Sequence, residues 1–404
     1  MRCSKRRHLL PLAVAAGVTF SGCSAPGRLP AVPLSSVSES GSGIGSVRFL
    51  VARETQSFEQ EAKASIAKEQ AWLASQGRAS DQLPPAYFLA ISGGGDNGAY
   101  GAGFLNGWTA NGARPEFKGV TGISTGALIA PFAFLGPKYD YVLKQVYTTT
   151  SQKDIFKKRG LVKALFGEAM ADTTPLAKVI ESQVTREFLD EIAAEYAKGR
   201  LLLVGTTNMD SLEPVIWNMT AIAANKDPRA ITLFRRLLLA SASIPGAFPP
   251  VMIDQTIDGK QYQEMHVDGG TMAQVFLYPP SVSVANAPAR KRVLYVLRNA
   301  RLDPDWSNTD RRTMTIAMRA IESLTMTQGV GDLYRIYSTT ERDGIDFNLT
   351  YIPPTFQVAR REQFDTQYMQ ALYAVGFEAA KAGYQWEKYP PGFAAPRSAA
   401  SAGK

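Results

Sequence analysis

The sequence predicts an α/β layered fold built on a largely parallel, buried central sheet. Two observations carry that expectation. From about Pro84 onward, short apolar runs of strand length alternate with longer stretches of helix length, the pattern of strands joined through crossover helices. The first two runs each lead straight into a glycine-rich turn that opens a helix, and such strand–turn–helix junctions are where these folds place reactive side chains. With 404 residues, 45% of them hydrophobic, the chain can bury a large core.

Before that domain comes a leader. Arg2, Lys5, Arg6 and Arg7 precede an apolar stretch at 9–20, shorter than the roughly 20 residues a bilayer span needs but suited to a signal sequence. Phe20-Ser21-Gly22-Cys23 resembles the lipobox of bacterial lipoproteins, in which the cysteine is acylated and becomes the first residue. Residues 1–22 are therefore expected to be a lipoprotein signal peptide and Cys23 the lipidation site. Cys3 leaves with the leader, so Cys23 is the sole cysteine of the mature chain, and acylation gives that thiol a role. The leader also holds four basic residues, half of the net charge of +8. The remainder does not argue for nucleic acid. No other long apolar run appears, so the mature protein is expected to sit on a membrane through its lipid anchor. Ser24 stands where an Asp often retains lipoproteins at the inner membrane, which by resemblance suggests the outer membrane.

Residues 23–46, rich in Ser, Gly and Pro, read as a flexible tether. Residues 47–83 read as an N-terminal helical extension, with Phe58, Ala62, Ile66 and Trp72 at helical spacing; it either packs on the main domain or stands off it. The main domain is expected over 84–390. Its strand candidates are 86–92, 117–123, 200–208, 262–268, 291–299 and 345–352. Its helix candidates include 175–198, with 172–174 available as a cap, then 311–327 and 362–387. Residues 391–404 read as a disordered tail.

"SGGGDNGAYGAGF" follows the first strand. Gly93 to Gly98 fit the dinucleotide pattern G-x-G-x-x-G, but that reading needs an acid at the end of the next strand, and Glu116 precedes its strand. A P-loop would need Lys-Ser/Thr where Ala99-Tyr100 stand. Nucleotide binding is therefore not expected. Successive glycines instead let backbone N–H groups converge at a helix N-terminus, as an oxyanion hole requires. The small residues Gly98, Ala99, Gly101, Ala102 and Gly103 would also permit close helix–sheet packing.

Gly122-Ile123-Ser124-Thr125-Gly126 lies between an apolar strand and the helix "ALIAPFAFLG". That is the setting of a nucleophile elbow, with Ser124 at its tip. A serine needs a base. Of the two histidines, His8 leaves with the leader. His266 lies two residues from Asp268 on one strand, on the same face, a poor way to build a histidine oriented by a remote acid. Asp268 ends that strand before Gly269-Gly270. An ordinary Asp is a feeble base, but burial would strengthen it.

The glycine loop, the elbow, "ASASIPGAFPPV" at 240–251 and Asp268-Gly269-Gly270 come in this order. Together with "DTTPL" at 172–176 they resemble the patatin-like phospholipase family over roughly 84–300. The resemblance implies a patatin-like α/β/α sandwich and a Ser–Asp dyad without histidine, with Ser124 the nucleophile and Asp268 the base. It implies an oxyanion hole at Gly93, Gly94 and Gly95, with donors from Gly94 and Gly95 and Gly93 shaping the turn. Gly98, Gly122, Gly126, Gly269 and Gly270 complete its motifs. The implied reaction is hydrolysis of a lipid ester through an acyl-serine, with no metal and no cofactor.

One position departs from the pattern. Asn97 stands where the family usually carries Arg or Lys, which favours a neutral lipid or simple ester over an anionic head group. The basic stretch 153–166, with apolar residues interleaved, is either a membrane-facing lid near the site or a solvated surface helix. The rival function is a non-catalytic surface lipoprotein that keeps the fold to bind a lipid or partner; an acyltransferase would share the acyl-enzyme.

Overall fold

The computed structural model describes residues 27–38, 44–45, 47–78, 82–160, 168–284, 287–304, 306 and 308–393. The leader, Cys23, residues 161–166 of the basic stretch with Gly167, and residues 394–404 lie outside the described residues.

In chain order, β1 (Arg48–Leu50) and α1 (Thr55–Ser75) precede β2 (Ala86–Ile91), α2 (Gly98–Ala110), β3 (Gly119–Ile123) and α3 (Thr125–Leu135). Then come α4 (Asp140–Thr149), α5 (Gln152–Ile155), β4 (Lys157–Lys158), β5 (Ala171–Asp172), α6 (Thr174–Gln183) and α7 (Arg186–Ala197). β6 (Leu201–Asn208), β7 (Glu213–Asn218), α8 (Met219–Ala224), α9 (Arg229–Ser241), β8 (Val251–Ile257) and β9 (Lys260–Asp268) follow. β10 (Arg292–Arg298), α10 (Thr313–Asp343), β11 (Asp346–Tyr351) and α11 (Thr366–Lys381) end the fold.

Among the described residues, the main sheet has nine strands, with the path β1-β7-β6-β3-β2-β10-β11. β6, β3, β2, β10 and β11 are parallel; β7, β9 and the β8–β9 hairpin are antiparallel additions. This is the expected α/β sandwich with a mostly parallel sheet. Alternate residues of a strand enter different cores. Leu89 and Ile91 pack on one face with α2 and α3, and Ala90 on the other with Leu333 and Ile336 of α10. Leu202 and Val204 take the first face, while Leu203 joins Phe49 and Phe58 on the second. A strand buried on both sides has few polar positions, which is why these runs read as nearly continuous apolar stretches.

The glycines of α2 serve several neighbours. A Cβ at Gly103 would lie 2.0 Å from Tyr373 O, and one at Gly107 2.1 Å from Phe377 O, both on α11. Gly101 faces the sheet, against Leu297 and Asn299. The small residues thus seat a helix as well as a sheet.

Several expectations need correction. The 47–83 segment is built into the sheet: β1 pairs with β7, and Phe58 of α1 packs edge-on against Phe49, their centroids 5.1 Å apart. The described part of the tether also docks. Val32 and Val37 are buried, and Arg28 pairs with Asp210 at 2.7 Å; these valines outweigh the Ser/Pro composition around them. The helix expected at 175–198 is two helices. The second starts at Thr185, whose Oγ1 accepts from Phe188 N–H at 3.2 Å, an N-cap. α10 runs on to Asp343 rather than ending at 327, and α11 is shorter than its candidate, starting after the Asp365 cap. No helix among the described residues is long and apolar enough to cross a membrane.

Candidate active site

One strand brings the site together. β6 pairs with β3 up to Ile123↔Gly205. From the next residue it pairs with β9, starting at Thr206↔Asp268. The C-terminal ends of β3 and β9 therefore meet head to head on the same edge of β6. Ser124 follows the first, and Asp268 ends the second.

Ser124 has φ 55 and ψ −125. A non-glycine residue there costs about 1–3 kcal/mol, and the surroundings hold it in place. Its N–H donates to Ser241 Oγ at 3.0 Å, and Ser241 Oγ donates to Gly205 O at 2.7 Å. Its carbonyl accepts from Ala127 and Leu128 N–H at 2.9 and 3.2 Å, starting α3. The elbow is tight: a Cβ at Gly122 would lie 2.4 Å from Gly126 O, and one at Gly126 2.3 Å from Ile91 O. Those distances explain both glycines of the motif.

Ser124 Oγ donates to Asp268 Oδ2 at 2.6 Å. Asp268 Oδ1 accepts from Gly270 N–H at 2.7 Å, and its own N–H donates to Ser243 O at 2.9 Å. Gly269 passes so close to Gly205 O that a Cβ would sit 2.5 Å away. Asp268 is only 5% exposed. Burial pushes its carboxyl up to about 7, against the opposing hydrogen bonds from Ser124 and Gly270. A carboxylate with that affinity for protons is a far better base than an ordinary Asp.

The glycine loop lies against the serine. A Cβ at Gly93 would come within 3.2 Å of Ser124 Cβ. Gly93 N–H donates to Gln274 O at 3.0 Å, so Gly93 shapes the turn and is not a donor of the expected oxyanion hole. The N–H groups of Gly94 and Gly95 have no hydrogen-bond partner among the described residues. Gly94 has φ 156, and a Cβ there would lie 2.2 Å from Asn299 O, so only glycine fits. Gly98 opens α2 against Thr125, whose Oγ1 is 2.5 Å from Tyr147 OH.

His266 is fully buried. Its ring bonds to Thr206 Oγ1 at 2.9 Å and approaches Glu264 at 3.4 Å, with Trp217 edge-on at 5.5 Å. Neither Ser124 nor Asp268 is among its partners. Thr125, the residue after Ser124, lines an apolar cavity together with Leu128, Val146, Ile180, Leu238 and Phe364 among others. The described part of the basic stretch, 153–160, takes in most of α5 and the short strand β4, paired with β5. Lys157 and Lys158 are exposed, while Phe156 packs on Phe248 and Phe364 at centroid distances of 5.3 and 6.2 Å.

Sequence reasoning gave no role to Ser241, Ser243, Gln274 or Asn299. Asn299 follows β10; its Oδ1 accepts from Gly101 N–H at 3.1 Å and its Nδ2 donates to Ser92 O at 3.0 Å, clamping the glycine loop. A polar residue closing an apolar strand run was the available signal. Among the described residues, no group of three or more His, Cys, Asp or Glu is placed to hold a metal ion.

Residues 89–280 match the family model described as patatin-like phospholipase. No curated protein sequence matches the chain. Among solved structures the chain is similar to VipD from Legionella pneumophila, with 10% identity, a TM-score of 0.36, and 75% of this chain and 67% of that one covered. It is similar to ExoU, in complex with SpcU, from the type III secretion system of Pseudomonas aeruginosa, with 12% identity, TM-score 0.34, and 74% and 52% covered. It is also similar to human GIVD cytosolic phospholipase A2, with 11% identity, TM-score 0.30, and 77% and 53% covered. The chain spans about half the length of the latter two.

Proposed function

Residues 89–280 being a patatin-like phospholipase domain, we propose that the chain is a lipid acyl hydrolase working through a Ser124–Asp268 dyad. The observation that carries the reading is the 2.6 Å hydrogen bond from a strained elbow serine to a buried carboxylate.

The chemistry follows from the groups in hand. Ser124 Oγ attacks the ester carbonyl carbon as its proton passes to Asp268 Oδ2. The carbonyl oxygen becomes an oxyanion and is received by the N–H groups of Gly94 and Gly95, donors fixed in advance by the backbone. The carbon–oxygen bond to the leaving alcohol breaks, and the protonated Asp268 returns its proton to that oxygen. Water then attacks the acyl-serine, giving its proton to Asp268 and releasing the fatty acid as Ser124 is reprotonated. Asp268 can make both transfers because its affinity for protons lies near neutrality.

The apolar cavity beside Thr125 suits an acyl chain. The head group is argued from charge. Asn97 brings none, and Asp96 of the same loop is paired with Arg360 at 3.0 Å, so the loop has no surplus positive charge. That favours a neutral lipid or simple ester. For location we propose, from the leader and Cys23 alone, a lipid-anchored protein of the outer membrane; Cys23→Ala would abolish acylation on metabolic labelling with a fatty acid, and persistent labelling would exclude it.

The test is release of fatty acid, followed by mass spectrometry, from micelles of diacylglycerol and of the anionic lipid phosphatidylglycerol, with Ser124→Ala as the control. The reading expects release by the wild type only, faster from the neutral lipid. Release no greater than that of Ser124→Ala from every lipid and from simple esters would leave the binding lipoprotein as the better account.

A further inference from the structure

The segment between β11 and α11 runs against the glycine loop, and one carboxylate of that loop bonds to it at two points. Asp96 lies between Gly95 and Asn97 and is 3% exposed. Its Oδ1 accepts from Arg360 Nη1 at 3.0 Å, and its Oδ2 accepts from Phe364 N–H at 2.9 Å. The neighbouring Asn97 Oδ1 accepts from Tyr368 OH at 2.7 Å, so α11 grips the same loop. Phe364 sits at φ 58, a conformation non-glycine residues rarely adopt. Its ring lines the apolar cavity that Thr125 also lines and meets Phe156 at 6.2 Å.

We propose that Asp96 is a positioning residue for the hydrolysis, an inference that rests on the function proposed above. Through one carboxylate it ties the backbone bearing the Gly94 and Gly95 donors to Phe364, a wall of the acyl cavity. The acyl chain and the oxyanion donors are thereby held in one register. Arg360, with its side chain 43% exposed, neutralises Asp96 and fixes the other carboxylate oxygen. A buried carboxylate with two N–H donors is a stiff link, and misplacement of reacting groups by about 1 Å costs on the order of a hundredfold in rate.

The test compares Asp96→Ala, Asp96→Asn and the double variant Asp96→Asn/Arg360→Gln with the wild type. Active sites are counted by titration with a fluorophosphonate, so that misfolded protein drops out of the rates. kcat and KM are then measured on a short-chain and a long-chain p-nitrophenyl ester. Asp96→Ala is expected to lose about tenfold or more in kcat per titrated site on both esters, with the pH midpoint of kcat/KM unmoved. In Asp96→Asn the amide N–H₂ faces the Arg360 donor. Replacing Arg360 with Gln supplies an acceptor there, so the double variant should recover most of the loss. A kcat per site within twofold of wild type in Asp96→Ala overturns the proposal. Should that variant fail to fold, equal rates for Asp96→Asn and the double variant overturn it instead. A wild type that neither reacts with the probe nor hydrolyses either ester overturns the hydrolase reading, and this inference with it.

Discussion

Replacing Asp268 with Asn should stabilise the protein at alkaline pH while removing its activity. The unfolded chain ionises Asp268 near 3.8, but the folded site holds its proton up to about 7. Between those values the unfolded state binds fewer protons than the native state, so stability falls as pH rises. The penalty is absent below about 3.8 and complete above about 7. The rise from 3.8 to about 7, at 1.36 kcal/mol per pH unit, amounts to about 4 kcal/mol. The amide of the Asp268→Asn variant carries no charge and escapes this cost. It also forfeits the charge-assisted bonds from Ser124 and Gly270, so 4 kcal/mol is an upper limit. Urea unfolding of soluble protein starting just beyond Cys23, at pH 4.5, 6 and 8, measures the difference. Asp268→Asn should gain on the wild type as pH rises, by a few kcal/mol between pH 4.5 and 8. A stability difference independent of pH, or one that moves against the variant, would refute the claim that a buried, proton-retaining Asp268 sits in the native site.

The same group should govern catalysis. kcat/KM on a soluble ester is expected to climb about tenfold per pH unit below about 7 and level off above it; a flat profile from pH 5 to 8 contradicts Asp268 as the base. His266→Ala removes a fully buried ring with partners at Thr206 and Glu264, so it should cost about 2–4 kcal/mol of stability yet leave kcat per titrated site within about threefold. Loss of all turnover by folded protein would restore histidine to the mechanism. Leu128→Trp, at the cavity beside the elbow, should depress hydrolysis of long-chain esters about tenfold or more relative to acetate esters; an unchanged chain-length profile would place the acyl chain elsewhere.

The parallel strands were legible because burial on both faces leaves unbroken apolar runs such as 86–91 and 201–204. β7 and β8 were missed, since "EPVIWN" and "VMIDQTI" mix polar with apolar residues, as edge and hairpin strands do. The break between α6 and α7 was written in Thr185, an N-cap inside a helical pattern. In the site, Gly94, Gly122, Gly126 and Gly269 stood out because each sits where a side chain would collide with backbone, a demand that only glycine meets. Ser241, Asn299, and the pair Asp96 and Arg360 did not. Their roles depend on partners more than a hundred residues distant, and beyond the polar residue that follows an apolar run at Asn299 no local pattern signals such contacts.

The central claim is that Ser124 is a nucleophile driven by Asp268. Intact mass spectrometry of soluble protein starting just beyond Cys23, after exposure to a fluorophosphonate, tests it most directly, with Ser124→Ala and Asp268→Asn alongside. The account predicts one adduct on the wild type and none on either variant. A folded wild type that stays unmodified even with detergent micelles, or an adduct that persists in Ser124→Ala, would contradict it.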